Sequence, residues 1–205
     1  MRIKPLYIFL ALVLGMSLSF YGCNKISDES TSAVKLVMSR LTGVNWTGNE
    51  SSVLESDVLV QNPDTGTSTV QNDYGNAYII AYPYNPNEAA SSLYENVQLK
   101  EYHVSYVRSD GRNQEGVDVP YSFWGRISAL IPPDGAEHQV VFVLVRANAK
   151  MESPLVDLLY GSAGKEIEAT AVVEFYGEDL SGHKVYVKGT IPVVFANYAN
   201  DTKKK

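Results

Sequence analysis

The fold is decided by two stretches near the carboxyl terminus, Glu166-Ile167-Glu168-Ala169-Thr170-Ala171-Val172-Val173-Glu174-Phe175-Tyr176 and Lys184-Val185-Tyr186-Val187-Lys188-Gly189-Thr190-Ile191-Pro192-Val193-Val194-Phe195. In the first, Ile167, Ala169, Ala171, Val173 and Phe175 alternate with polar or amphipathic residues; in the second, Val185, Val187, Ile191, Val193 and Phe195 do the same. Successive side chains of a strand point to opposite faces, so this rhythm of two predicts two strands, each with one buried and one wet face. Ser181-Gly182 lies between them and can supply the positive φ of a tight return. The two strands therefore pair as a hairpin. Its outer face sets glutamates against lysines, and such cross-strand pairs support the register by a few tenths of a kcal/mol each, about 0.2–1.

The same rhythm extends upstream. Val34, Leu36 and Met38 alternate with Lys35, Val37 and Ser39, and further strands are expected at 56–61, 76–82, 98–108, 121–131 and 139–146. Turn-rich Asn62-Pro63-Asp64-Thr65-Gly66 separates two of them. In 98–108, Tyr102, Val104 and Tyr106 oppose Glu101, His103 and Ser105, as a sheet with one solvated side requires. The unbroken Val140-Val141-Phe142-Val143-Leu144-Val145 predicts a central strand covered on both faces. One short helix is expected, capped by Ser153, opened by Pro154, packed through Leu155, Leu158 and Leu159, and ended by Gly161. Seven to nine strands with one short crossover helix define an all-β chain, a two-layer antiparallel sandwich of immunoglobulin-like type, without the inter-sheet disulfide of antibody domains.

The amino terminus has a different character. Arg2 and Lys4 precede an apolar run from Leu6 to Phe20, about 15 residues against the roughly 20 that span a bilayer, which is the form of a secretion signal. It ends at Phe20-Tyr21-Gly22-Cys23, which resembles the bacterial lipobox. The resemblance implies cleavage ahead of Cys23 and acylation of its sulfur. Cys23 is the only cysteine, so no internal disulfide can form, and a lone thiol in an oxidising envelope is consumed by modification. Each acyl methylene contributes about 0.8 kcal/mol, so several long chains give durable attachment. Asn24 stands where aspartate retains enterobacterial lipoproteins at the inner membrane, which favours the outer membrane. The expected organisation is a signal peptide at 1–22, a lipidated polar tether at 23–32, a sandwich at 33–199 and a polar tail at 200–205.

Loss of the leader removes two positive charges and no acid, moving the net charge from −6 to −8 over some 183 remaining residues. That is enough chain for one domain with a real core. No basic stripe is present, and Lys203-Lys204-Lys205 is too short to be one, so nucleic acid is excluded as an expected partner.

Several stretches are similar to a family of uncharacterised bacterial envelope lipoproteins: Tyr106-Val107-Arg108-Ser109-Asp110-Gly111-Arg112-Asn113, Gly116-Val117-Asp118-Val119-Pro120-Tyr121, Val145-Arg146-Ala147-Asn148-Ala149-Lys150, Pro154-Leu155, and Phe175-Tyr176-Gly177-Glu178-Asp179 with Gly182 and Phe195-Ala196-Asn197-Tyr198. The likeness runs from about residue 56 onward. It implies a single sandwich domain behind a lipobox, and no activity.

Chemistry-bearing residues are sparse. Asp110, Asn113, Glu115 and Asp118 put four oxygen-bearing side chains in one loop with Gly111 and Gly116, the raw material of a calcium site without the EF-hand spacing; the alternative is an ordinary Asx-rich loop. Glu178, Asp179 and His183 cluster in the hairpin turn. His103, His138 and His183 occur singly, with no metal-binding spacing. There is no G-x-S-x-G elbow, Cys23 is committed to lipid, and Glu166, Glu168 and Glu174 face lysines on an exposed strand. Neither a catalytic motif nor a cofactor is implied.

Aromatic content is the suggestive feature, with 14 tyrosines and two tryptophans. Tyr82-Pro83-Tyr84 and Tyr121-Ser122-Phe123-Trp124 mark Tyr82, Tyr84, Tyr121 and Trp124 as candidate ligand-binding rings; buried, the same rings would fill the core. The expected function is that of a membrane-anchored, non-catalytic scaffold or protein-interaction module in the cell envelope. The alternative is a carbohydrate-binding or calcium-dependent adhesion domain.

Overall fold

The computed structural model describes residues 32–44, 49–61, 65–85, 92–160 and 165–198. The expected leader, Cys23, nearly all of the tether and the tail lie outside the described residues, as do Asn62, Pro63, Asp64 and Gly161. Among the described residues the strands are β1 (Val34–Val44), β2 (Glu50–Ser51), β3 (Leu54–Asp57), β4 (Val60–Gln61), β5 (Ser68–Thr69), β6 (Asp73–Pro83), β7 (Val97–Val107), β8 (Phe123–Ile131), β9 (His138–Val145), β10 (Ile167–Asp179) and β11 (Lys184–Ala196). They form a four-stranded sheet in the order β2-β1-β6-β9, a five-stranded sheet in the order β3-β11-β10-β7-β8, and a small β4-β5 ribbon. The chain is an all-β sandwich.

The hairpin forms as its alternation requires. β10 and β11 pair antiparallel from Ile167↔Phe195 to Glu178↔Lys184, and Gly182 takes φ +92° in the return. Ala171, Val173, Phe175, Ile191, Val193 and Phe195 turn inward and are buried, meeting Ala77, Ile79, Ala81, Phe142 and Leu144 of the four-stranded sheet in one core. Burial of a side chain of this size is worth about 1.5–3 kcal/mol, so the two inner faces supply the main driving force. At the centre, Tyr102, Phe142 and Phe175 meet with ring centroids 5.2–5.9 Å apart.

Four expectations are corrected. The segment expected as one strand over 56–61 is split between β3 and β4, because Asp57 turns the chain by accepting from the Leu59 amide at 3.2 Å. β3 runs parallel to β11, so the five-stranded sheet is antiparallel except at that edge. β9 is not central: it closes the edge of the four-stranded sheet, with Val140, Phe142 and Leu144 buried but Val141 56% exposed. The helix expected from Ser153 is reduced to one turn, Asp157–Tyr160, preceded by turns, and Ser153 Oγ donates to Asp157 Oδ2 at 2.8 Å instead of capping. Buried Leu155 anchors the segment, and so short a piece cannot offset the cost of nucleating a longer helix. A second turn, Ala147–Lys150, leaves β9 on the way across.

Candidate functional site

The outer face of the five-stranded sheet carries the chemistry. Alternation puts Trp124 and Arg126 of β8, Glu101 and His103 of β7, Glu174 and Tyr176 of β10, and Tyr186 and Lys188 of β11 on the side away from the core. Register then brings them together: His103 lies opposite Trp124, Glu174 opposite His103, and Tyr176 opposite Tyr186. Trp124 packs on His103 at 4.8 Å and on Tyr176 at 5.3 Å between centroids, and Tyr176 on Tyr186 at 5.2 Å. The result is an aromatic strip crossing four strands. Trp124 is 54% and Tyr186 47% exposed.

Glu174 sits under this strip and fixes it. Its carboxylate accepts from Tyr186 Oη at 2.8 Å, pairs with His103 Nδ1 at 3.2 Å, and has Lys188 Nζ at 3.6 Å. The Tyr186 hydrogen bond, with His103 and Lys188, holds the Glu174 carboxyl below its ordinary range against the upward push of burial. In return, burial and the bond to Glu174 push the Tyr186 phenol up to about 12. Tyr186 and His103 are thus held in place through Glu174.

Beside Trp124 lies a cleft of about 350 Å³ lined by Glu101, Trp124, Gly125 and Arg126. Arg126 Nη1 is 3.6 Å from Glu101 Oε2, and its side chain is 87% exposed. Gly125 turns inward beneath the cleft and makes room for the buried Tyr102 ring: a Cβ there would fall 2.2 Å from it.

The rings singled out from the sequence separate. Trp124 is in the strip. Tyr82 is near the far end of β6, on the other sheet, with Tyr84 just beyond that strand, and Tyr121 covers Gly116, where a Cβ would lie 2.3 Å from its hydroxyl. Tyr176 and Tyr186 were not singled out, although the hairpin alternation already places both on its charged face.

The loop acids go to local partners. Asp110 accepts from the Arg108 and Arg112 guanidinium groups at 2.7–3.1 Å, and these bonds hold it far below its ordinary range. Asn113 Oδ1 accepts from the Arg108 amide, Glu115 from the Ser122 amide and Asp118 from the Gln114 amide. In the hairpin turn, Asp179 accepts from the Ser181 and His183 amides and pairs with His183 Nδ1 at 3.0 Å, while Glu178 pairs with Lys100 of β7. Among the described residues, no three His, Cys, Asp or Glu side chains are grouped as a metal ion would need, and no helix is long and apolar enough to cross a membrane.

Fold and face together define a class, an all-β sandwich with an aromatic strip and an adjoining polar cleft on one outer sheet. No protein-family model and no curated protein matches the chain. Among solved structures it is similar to a Northeast Structural Genomics Consortium target, SoR45, at 10% identity and TM-score 0.32, over 82% of this chain and 90% of that one. It is also similar to the sporulation control protein Spo0M from Bacillus subtilis, at 12% identity and TM-score 0.29, over 78% of this chain and 49% of that one. Likenesses this distant bear on no argument about function.

Proposed function

We propose that the chain is a bacterial envelope lipoprotein, held through Cys23 to the outer membrane, whose sandwich is a non-catalytic binding module for an envelope partner. The observation that carries the reading is the preset strip of Trp124, Tyr176 and Tyr186 on a solvent face. Large rings exposed on a rigid sheet offer apolar area to a partner, and rings already locked in place lose little entropy on binding. The leader and the lipobox support the membrane tether.

The test places a photo-crosslinking residue in the full-length chain in native membranes, once at Ser128 on the outer face of the five-stranded sheet and once at Lys35 on that of the four-stranded sheet. Adducts formed from position 128 and not from position 35 are expected, and incorporated palmitate should vanish in Cys23→Ser. No adducts, or equal adducts from both faces, would overturn the binding face; palmitate retained in Cys23→Ser would overturn the tether.

A further inference from the structure

We infer that the ligand of this face is a neutral oligosaccharide, stacked on Trp124 and hydrogen-bonded by Glu101 and Arg126. The inference rests on the binding-face reading above and names its ligand class. A pyranose has one apolar face of C–H groups and a rim of hydroxyls that donate and accept. The cleft has the matching halves: an indole on one side and, 3.6 Å apart on the other, a carboxylate that only accepts and a guanidinium that only donates. Adjacent hydroxyls of one sugar ring can satisfy both at once.

The surroundings argue for a sugar over a protein anchor. A protein hot spot is a fully desolvated centre ringed by contacts that exclude water. Beside the strip the outer face instead presents Glu101, Arg126, Glu174 and Lys188, and further along the strands Gln98, Ser128, Thr170 and Thr190 are interspersed with Val172 and Leu130, a surface in which hydrogen-bonding groups predominate. The charge balance argues for a neutral sugar over an acidic one. Glu101 and Glu174 are met locally by Arg126 and Lys188, so this face has no surplus of positive charge to hold a polyanion, and the chain as a whole is acidic. From the cleft the rings step across the sheet at 5.3 and then 5.2 Å, a track along which further sugar units can lie.

The test uses the full chain with Trp46→Phe, which leaves Trp124 as the sole indole. Cellohexaose, mannohexaose, chitohexaose and maltohexaose are titrated against its fluorescence and by calorimetry, with polygalacturonate as the anionic probe. At least one neutral hexasaccharide should bind saturably and change the Trp124 emission. In calorimetry on the otherwise native chain, Trp124→Ala should abolish that binding, and Arg126→Ala, whose side chain is almost wholly exposed, should weaken it by about tenfold or more, as losing a central contact does. No binding of any neutral hexasaccharide at about millimolar concentration, binding unchanged in both variants, or binding of polygalacturonate alone would overturn the inference. Crosslinks that persist from position 128 while no sugar binds would remove the glycan and leave the binding face standing; loss of both removes both.

Discussion

Lys150 Nζ lies 2.8 Å from Asp73 Oδ1 with none of the lysine exposed to solvent. The same ammonium donates to the Asp57 carbonyl at 2.7 Å, and Asp73 Oδ2 accepts from Ser56 Oγ at 2.6 Å. Ser56 and Asp57 belong to β3 in one sheet and Asp73 opens β6 in the other, while Lys150 ends the helical turn that leaves β9. One buried cation therefore ties both sheets and the crossover together. Asp57 continues the network by accepting from the Tyr198 amide at 3.2 Å.

Removing one member of this pair strands the other charge in the core, which costs about 3–5 kcal/mol. Asp73→Ala and Lys150→Met should each lower the unfolding free energy obtained from urea titration by that much, whereas the double replacement should recover a large part of the loss because no unpaired charge remains. Single variants that cost under about 1 kcal/mol, within the range of surface substitutions and small losses, would show that the pair is not buried as described.

Glu174 gives a pH dependence with a definite sign. Its folded carboxyl is held below the ordinary value, chiefly by the Tyr186 hydroxyl, so the unfolded chain binds the proton more readily. The resulting stabilisation is present in full above the unfolded value near 4.3 and is lost as pH falls through the lowered folded value. Tyr186→Phe should move the Glu174 carboxyl upward, read by the titration of its side-chain carbon in NMR, and should flatten the acid limb of the stability curve. An unmoved titration would mean that Tyr186 does not donate to it.

How far the sequence is legible depends on the range of the interaction. The alternation of β10 and β11 is local and specifies two strands, their inward faces and the glycine turn. It also places Tyr176 and Tyr186 outward, but that they meet Trp124 depends on β7 lying between β8 and β10, a matter of strand order that no local pattern encodes. The tie between Lys150 and Asp73 spans 77 residues and has no local sign at all. The loop of Asp110 was readable in a different way: arginines two residues to either side of the acid already offered it partners, and they take it.

Gly177 tests the register between β7 and β10. At the bulge between Tyr176 and Gly177, a Cβ on Gly177 would lie 2.3 Å from the backbone carbonyl oxygen of Gln98 and 2.9 Å from the Leu99 Cα. Backbone cannot rotate away as a side-chain tip can. Gly177→Ala should therefore lower stability by about 1–3 kcal/mol or more, the range of overpacked cores, and disturb the amide signals of both strands. Gly111→Ala is the contrasting case: a Cβ there meets nothing, so its cost comes only from the positive φ of +80°.

The run Val140-Val141-Phe142-Val143-Leu144-Val145 reads as a strand covered on both sides, yet β9 lies at a sheet edge with one side wet. Hydrophobicity alone cannot separate the two arrangements, because an exposed valine still suits a strand through its β-branched side chain. Substitution can. At an outward edge position, Val141→Lys should change stability by no more than about 0.5 kcal/mol, since its charge stays in water and lysine is a common guard against edge-to-edge pairing. One residue on, Phe142 packs edge-on against Phe175 at 5.2 Å in the core, and Phe142→Ala should cost about 3–5 kcal/mol through the cavity it leaves. Chemical unfolding of the two variants gives the comparison directly. A large loss in Val141→Lys, comparable with that in Phe142→Ala, would mean that a further layer covers the outer face of this strand, and its solvated side would fall.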